Sequence, residues 1–173
     1  MADIAKTISV INRMTTDGVI ENYALGGATA VIFYTEPIAT EDVDIFVHLK
    51  PGGNPFMEFQ PIFDYLKNKD YKMQGEHFYV EGFPVQFLPT GKRLIDEAIT
   101  EANEFALNDD VKVRVMTPEH LVAIMLDTGR PKDFRRISFF LQHEAVNAKE
   151  LQNILAKHDL TEKWQTNIGN SQI

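Results

Sequence analysis

Two aspartates, Asp42 and Asp44, stand at alternate positions around a segment that otherwise has the composition of a buried strand, VDIFVHLK at residues 43–50. Side chains on a strand alternate between its faces, so both carboxylates are expected on one face. An unpaired charge in a core strand costs on the order of several kcal/mol, and neighbouring carboxylates also raise each other's pKa. A divalent cation between them would remove this cost, and Mg²⁺ prefers oxygen ligands.

A pair of glycines, Gly26 and Gly27, lies between a predicted strand, ENYAL, and a predicted short buried helix, ATAVIFY. Backbone N–H groups at a helix start that side chains leave unobstructed suit a phosphate group, and Thr29 adds a hydroxyl. Taken alone, a Gly-Gly pair most often marks a turn, and an Asp-x-Asp pair fits a solvated edge strand. The apolar residues 45–47 favour a central strand, so the two features together predict a phosphate and metal site.

The rest of the chain is predicted as a mixture of helices and strands up to residue 116 and as helices beyond it. Helices are predicted over residues 2–15, 55–70 and 92–103, a hairpin over 77–89 and a strand over 111–116. Thr117 and Pro118 have the composition of a helix start, Pro131 opens a helix to about Gln142, and residues 147–159 form the last helix.

These elements predict an α+β fold in which a mixed β-sheet is flanked by helices, with a helical C-terminal segment. We predict three parts. They are an α/β core over residues 1–116, a helical segment packed on the core over 117–166, and a flexible tail over 167–173.

Charge and composition exclude several classes of function. The net charge of −8 comes from 25 acidic and 17 basic residues and argues against a broad nucleic-acid-binding face. Basic residues cluster only in GRPKDFRR, residues 129–136, where a local anionic ligand can bind. The absence of cysteine excludes disulfides and thiolate metal sites, and the five histidines form no HExxH motif. We find no signal peptide and no apolar run of about 20 residues, and therefore expect a cytoplasmic protein without a membrane partner.

The stretch LGGATAVIFYTEPIATEDVDIFV, residues 25–47, resembles the signature of the DNA polymerase β-like nucleotidyltransferase superfamily. In that signature a Gly-Gly or Gly-Ser pair and a short helix precede two aspartates on a strand. Thr40 fits the Thr-x-Asp-x-Asp form of the minimal and abortive-infection toxin-type branches. Residues 117–141 resemble the helical segment of those branches, in which a Glu-x-Leu helix precedes Gly-Arg-x-Lys-Asp. The resemblance covers about residues 20–142.

The resemblance implies a nucleotidyltransferase fold and Mg²⁺-dependent (or Mn²⁺-dependent) transfer of a nucleoside monophosphate from an NTP to an acceptor, which is RNA, protein or a small molecule. Asp42 and Asp44 would be the catalytic metal ligands. The residues implied to bind the nucleotide are Gly26, Gly27, Thr29, Thr40, Arg130 and Lys132. The toxin-type branches also imply a cognate antitoxin or toxin protein as a partner.

The sequence departs from the family pattern at three polar positions. The position of the third carboxylate corresponds to Gln86, whose amide oxygen can coordinate the metal but adds no charge and accepts no proton. Glu81, on the same predicted hairpin, is a candidate substitute. Ile38 and Met125 stand where an arginine and a lysine are often found. The alternative function is therefore a catalytically degenerate nucleotide-binding or regulatory member of a toxin–antitoxin or phage-defence pair.

The basic cluster also has a structural interpretation. Asp133 falls near the third position of the helix opened by Pro131, where the helix dipole favours an acid. Arg135 and Arg136 cannot both share a face with the apolar residues of that helix, so at least one of them is expected on the surface.

Overall fold

The computed structural model describes residues 3–35, 42–49 and 55–169, and for residues 55–57 it describes the backbone alone. The helices in these ranges are α1 (Ile4–Thr16), α2 (Gly27–Val31), α3 (Pro55–Lys67), α4 (Arg93–Thr100), α5 (Pro118–Thr128), α6 (Pro131–Gln142), α7 (Ala148–Lys157) and α8 (Thr161–Asn167). The strands are β1 (Asn22–Leu25), β2 (Val43–His48), β3 (Lys72–Gln74), β4 (His77–Val80), β5 (Phe83–Pro89), β6 (Asn103–Ala106) and β7 (Lys112–Val115).

The strands form a mixed sheet in the order β3-β4-β5-β2-β1-β7-β6. Strand β2 lies at its centre, antiparallel to β1 and parallel to β5. Strands β1 and β7 are also parallel, and the hairpins β3–β4, β4–β5 and β6–β7 are antiparallel. The predicted α+β class with a mixed sheet flanked by helices is therefore confirmed.

The two faces of β2 differ in burial, as its alternating sequence requires. Val43, Ile45 and Val47 are at most 2% exposed and belong to the main hydrophobic core. The other face carries Asp44 and Phe46, which are only partly buried. Helix α4 packs against β1 and β2, and α5 packs against α4, α6 and α7. The charged face of β2 therefore borders a space between the sheet and the helical part of the chain.

Helix α5 begins and ends where its sequence predicts. The Thr117 hydroxyl accepts the backbone N–H of His120 at 3.3 Å, and Pro118 occupies the first helical position. At the other end Gly129 adopts a left-handed conformation with φ of 72°, and its N–H donates to the carbonyl of Met125. This turn leads directly into α6 and places Arg130 at the N-terminus of that helix.

Three elements are absent from the sequence prediction. The short strand β3 has three exposed residues and gains its pairing only from β4. Residue Asn103, predicted as the end of a helix, begins β6, because that segment pairs with β7. Helix α8 follows the helix predicted to be last and buries Trp164. Helix α3 continues through Pro61.

The division of the chain into parts at residue 116 stays a prediction.

Among the described residues, no helix combines the length and the apolar character needed to cross a bilayer.

Candidate functional site

Asp44 and Gln86 lie side by side on the two central parallel strands, β2 and β5. The next pair on the same face is Phe46 and Leu88. All four side chains line a cavity of about 360 Å³ between the sheet and helices α5 and α6. The position predicted to replace the third carboxylate is thus directly beside the second aspartate of the motif.

Asp42 immediately precedes β2, and its backbone is fixed by Thr29. The Thr29 hydroxyl, on a residue only 8% exposed, donates to the Asp42 carbonyl at 2.7 Å. The Asp42 carboxylate is 3.6 Å from Nε2 of His77, the first residue of β4, and the Asp42 side chain is 41% exposed. Thr29, predicted to bind the nucleotide, therefore positions the first aspartate in this structure.

The electrostatics of Asp44 match the prediction made for a buried pair of acids. The pKa of Asp44 is raised, first by burial and second by the negative charge of Asp42. The positive charges of Arg136 and Arg130 act in the opposite direction but do not cancel the shift. The ionised form of Asp44 is therefore incompletely compensated in the folded protein.

The two glycines have different structural reasons for lacking a side chain. The Gly26 N–H donates to the Asp44 carbonyl at 2.9 Å, so this amide joins the sheet. A Cβ atom at Gly26 would meet the ring of Phe46 at 2.4 Å. Gly27 has φ of +58°, and a Cβ atom there would lie 1.7 Å from Oδ2 of Asp44. The backbone at Gly27 therefore directly contacts the carboxylate of Asp44.

A buried acid and two arginines form the wall of the cavity that faces Asp44. Asp133 is fully buried and accepts hydrogen bonds from the Arg130 side chain, at 2.7 Å for Nε, and from the Arg130 backbone N–H at 3.3 Å. Its Oδ1 is 3.9 Å from the Arg136 guanidinium. The Asp133 hydrogen bond raises the pKa of Arg130, and the charge of Asp44 adds to the effect. Asp133 therefore caps α6, as its sequence position predicted, and also holds two cations in the cavity wall.

The other basic residues of this segment lie elsewhere. Lys132 and Arg135 are exposed, and neither is among the residues that line the cavity. The expectation that at least one of Arg135 and Arg136 would be on the surface is confirmed for Arg135. The sequence allowed Arg130, Lys132, Arg135 and Arg136 to reach an anionic ligand and favoured Arg130 and Lys132, whereas the cavity is lined by Arg130 and Arg136.

A carboxylate that the sequence did not indicate lies beside Gln86. The Gln86 amide donates through Nε2 to the Glu76 carboxylate at 2.8 Å, and Glu76 lies in the turn between β3 and β4. Glu81, the substitute considered from the sequence, is wrong for this role. It follows β4 at the opposite end and accepts the Tyr71 hydroxyl at 2.6 Å, whereas Glu76 contacts Gln86 and lines a neighbouring cavity with it. The sequence missed Glu76 because β3 was not predicted.

Two of the positions discussed from the sequence, Ile38 and Thr40, lie outside the described residues. Met125, the position at which a lysine is often found in similar proteins, is 5% exposed and lines the cavity together with Asp44. A lysine there would have brought a third cation to the same space.

Comparison with solved structures identifies the fold. The chain is similar to a nucleotidyltransferase-like antigenic protein from Paracoccidioides brasiliensis, at 17% identity and a TM-score of 0.55 over 98% of this chain and 99% of that one. It is also similar to the antibiotic-resistance factor ANT(2'')-Ia in solution, at 15% identity and a TM-score of 0.54 over 88% and 89%. A crystal structure of ANT(2'')-Ia in complex with adenylyl-2''-tobramycin gives 13% identity and 0.51 over 88% and 96%.

These similarities confirm the predicted nucleotidyltransferase-like fold. No protein-family model matches the sequence, and no curated protein matches it.

Proposed function

We propose that this protein transfers a nucleoside monophosphate from an NTP to an acceptor hydroxyl. The observation that carries the proposal is the arrangement around one cavity, where Asp44 contacts the Gly27 backbone and faces Arg130 and Arg136. Phosphoryl-group transfer requires carboxylates that bind a divalent cation and cationic groups, such as guanidinium groups, that bind the phosphates. In this reaction the acceptor hydroxyl loses its proton to solvent and its oxygen bonds to the α-phosphorus. The bond between the α-phosphorus and the oxygen that bridges to the β-phosphorus breaks, and pyrophosphate leaves.

The residues present fit a divalent cation with a preference for oxygen ligands. Asp44 is a partly buried carboxylate next to a second carboxylate, and burial and the charge of Asp42 raise its pKa despite the nearby arginines. We expect Asp42 and Asp44 to hold Mg²⁺ or Mn²⁺, with the Gln86 amide oxygen as a further ligand, since Nε2 of Gln86 already donates to Glu76. When bound, the ion would neutralise charge on the phosphates and lower the pKa of the acceptor hydroxyl.

The other residues of the site have positioning roles in this proposal. Gly27 allows the backbone to approach Asp44 and the bound phosphates, while Gly26 and Thr29 fix the strand and the backbone of Asp42. The guanidinium groups of Arg130 and Arg136 are oriented toward the triphosphate by the buried Asp133. Lys132 and Thr40 remain proposed nucleotide contacts on the basis of the family resemblance.

RNA, protein and small hydroxyl compounds are the proposed classes of acceptor. The similarity to ANT(2'')-Ia, which was solved with adenylyl-2''-tobramycin, supports including small hydroxyl compounds in the search. The acidic net charge of −8 gives no support to an extended RNA-binding face.

The alternative function is a degenerate nucleotide-binding or regulatory protein, in the setting of a toxin–antitoxin or phage-defence pair. It is favoured by the apolar Met125 and the neutral Gln86 in the cavity that holds Asp44. This alternative predicts NTP binding without release of pyrophosphate. The double variant Gln86→Asp with Met125→Lys would restore both charges. A gain of NTP turnover over an inactive wild type would mark the natural protein as degenerate, whereas turnover by the wild type would contradict this alternative.

Nucleotides labelled at the α-phosphate test the proposal. The protein is incubated with each of the four NTPs, Mg²⁺ or Mn²⁺, and separate pools of RNA, protein and small hydroxyl compounds, while pyrophosphate release is measured in parallel. We expect transfer of the α-label by the wild type and its loss in the Asp42→Asn, Asp44→Asn double variant. The matched control is the double variant Asp109→Asn, Asp110→Asn, whose two acids lie in the exposed loop between β6 and β7. Equal labelling by both double variants would contradict the proposal.

A further inference from the structure

A second group of metal-ligand residues lies outside the cavity that holds Asp44. Glu97 and Glu101 are four residues apart at the C-terminal end of α4, and His120 lies in the first turn of α5. Their ligand atoms all lie within 4.8 Å of one another and border a separate cavity of about 310 Å³. We propose that these three side chains form a site for a divalent transition metal ion of the Zn²⁺ type.

The environment of His120 is the observation that points to a ligand. This residue is 1% exposed, and its Nδ1 lies 2.8 Å from the Thr117 hydroxyl. Its Nε2 is buried and has no hydrogen-bond partner among the described residues. A buried polar atom without a partner destabilises the folded state, so a group that binds this nitrogen stabilises it.

The distances around Nε2 match those of a metal centre. Nε2 is 3.5 Å from Glu97 Oε1 and 3.9 Å from Glu101 Oε2, both too long for a good hydrogen bond. Tetrahedral ligands at metal bonds of about 2.0–2.2 Å are separated by about 3.3–3.6 Å. The two separations from Nε2 therefore differ from this range by at most a few tenths of an ångström, and all three ligand atoms lie within 4.8 Å of one another.

Neighbouring groups hold the ligands in the required orientation. The Lys157 ammonium and the His158 ring contact Glu97 through Oε2, at 2.5 and 3.2 Å, which leaves Oε1 directed at His120. If Nδ1–H of His120 donates to the Thr117 hydroxyl, the lone pair of Nε2 faces the two carboxylates. This arrangement of ligand and supporting group is usual for metal-binding histidines.

The ligand types select the class of ion. One imidazole and two carboxylates suit Zn²⁺ better than Mg²⁺ or Ca²⁺, which prefer oxygen ligands alone. The fourth position of a tetrahedral ion would open into the adjoining cavity and accept water. Such an ion would connect α4 to the first turn of α5, the helix that also lines the Asp44 cavity. The site is distinct from the proposed transferase site and does not depend on it.

Titration of the metal-free protein with Zn²⁺, followed by calorimetry and thermal unfolding, tests the proposal. The protein carries Asp42→Asn and Asp44→Asn, so that ions bound at those carboxylates do not contribute. We expect one Zn²⁺ per chain, a higher Tm with Zn²⁺ than with Mg²⁺, and visible absorption bands of four-coordinate Co²⁺ when Co²⁺ is used instead.

The variant Glu101→Gln is the sharpest probe, because the Glu101 side chain is 57% exposed and its replacement is expected to leave the fold intact. We expect its Kd for Zn²⁺ to be at least about tenfold weaker. The matched control Glu162→Gln changes an exposed glutamate in the first turn of α8 and is expected to bind as the parent does. His120→Asn tests the same ligand set if that variant folds.

Binding of less than one Zn²⁺ per chain at millimolar concentration would overturn the proposal. Equal affinity in the Glu101→Gln and Glu162→Gln variants would overturn it as well, since the ion would then be bound elsewhere, for example by the exposed His143.

Discussion

The Cα atom of Gly27 lies against the carboxylate of Asp44, so closely that a methyl group at residue 27 would come within 1.7 Å of Oδ2. The turn that begins α2 and the acid of β2 are therefore one structural unit. A left-handed backbone with φ of +58° makes this contact possible, and glycine adopts it without strain.

Gly27→Ala is expected to inactivate the protein and to destabilise it. The left-handed conformation alone costs a non-glycine residue about 1–2 kcal/mol, and the methyl group must also displace the Asp44 side chain. Gly75→Ala is the matched control, because Gly75 has φ of +63° but open space around its Cα. Chemical denaturation should show a larger loss of unfolding free energy at residue 27 than at 75. Equal losses would mean that the contact with Asp44 has no energetic consequence.

Asp44→Asn is expected to raise the Tm in the presence of EDTA while it removes nucleotidyl transfer by about 100-fold or more. The pKa of Asp44 is raised in the folded state, so the folded protein favours the protonated carboxyl. The contribution of this carboxyl to the free energy of unfolding is therefore fully present at low pH and is lost as the pH rises through the folded pKa. The gain from the neutral amide should therefore be present at pH 7 and disappear below about pH 4, where the carboxyl is protonated in both states.

Thermal unfolding of the wild type and Asp44→Asn across this pH range checks the prediction. Asp42→Asn is the comparison, because the Asp42 side chain is 41% exposed and water can hydrate its carboxylate. Addition of Mg²⁺ should stabilise only the wild type. A lower Tm for Asp44→Asn at every pH would contradict the assignment of Asp44 as an incompletely compensated charge.

Glu76→Gln is expected to lower transfer activity by about 10–100-fold, because Glu76 is the carboxylate that accepts the hydrogen bond of Gln86 beside Asp44. The expected change is in the Mg²⁺ concentration needed for half-maximal activity and in kcat, with a smaller change in the KM for NTP. Glu81→Gln serves as the control at the other end of β4, where the side chain pairs with Tyr71. Unchanged metal dependence in Glu76→Gln would contradict a role for Glu76 in orienting Gln86 toward the metal.

The difference between Gln86 and Glu76 shows how far the sequence could predict this site. Gln86 was found because its place on β5 follows from a motif and an apolar strand with strong local signals. Glu76 reaches Gln86 from the turn between β3 and β4, and β3 is an exposed three-residue strand that owes its formation to pairing. Local patterns do not encode such pairing.

The helical part of the chain shows the same division. The starts of α5 and α6 were predictable from Pro118 and Pro131, because caps are local features. Which of the basic residues of α6 face Asp44 depends instead on the rotation of α6 against α5, which packing determines.

Arg136→Met is expected to weaken NTP binding by about 10-fold or more, because a charge-assisted contact with phosphate contributes about 1.5–3 kcal/mol. The methionine keeps the apolar length of the side chain and removes only the guanidinium. Arg135→Met is the matched control one residue earlier, on an exposed position outside the cavity. Lys132→Met in the same series tests the nucleotide contact that the family resemblance implies. The structure does not place Lys132 among the residues that line the cavity. Calorimetric titration with a non-hydrolysable NTP analogue measures the affinity of each of the three variants. An equal loss of affinity in Arg135→Met and Arg136→Met would contradict the prediction. It would show that α6 attracts the nucleotide through its overall charge and not through a residue oriented by Asp133.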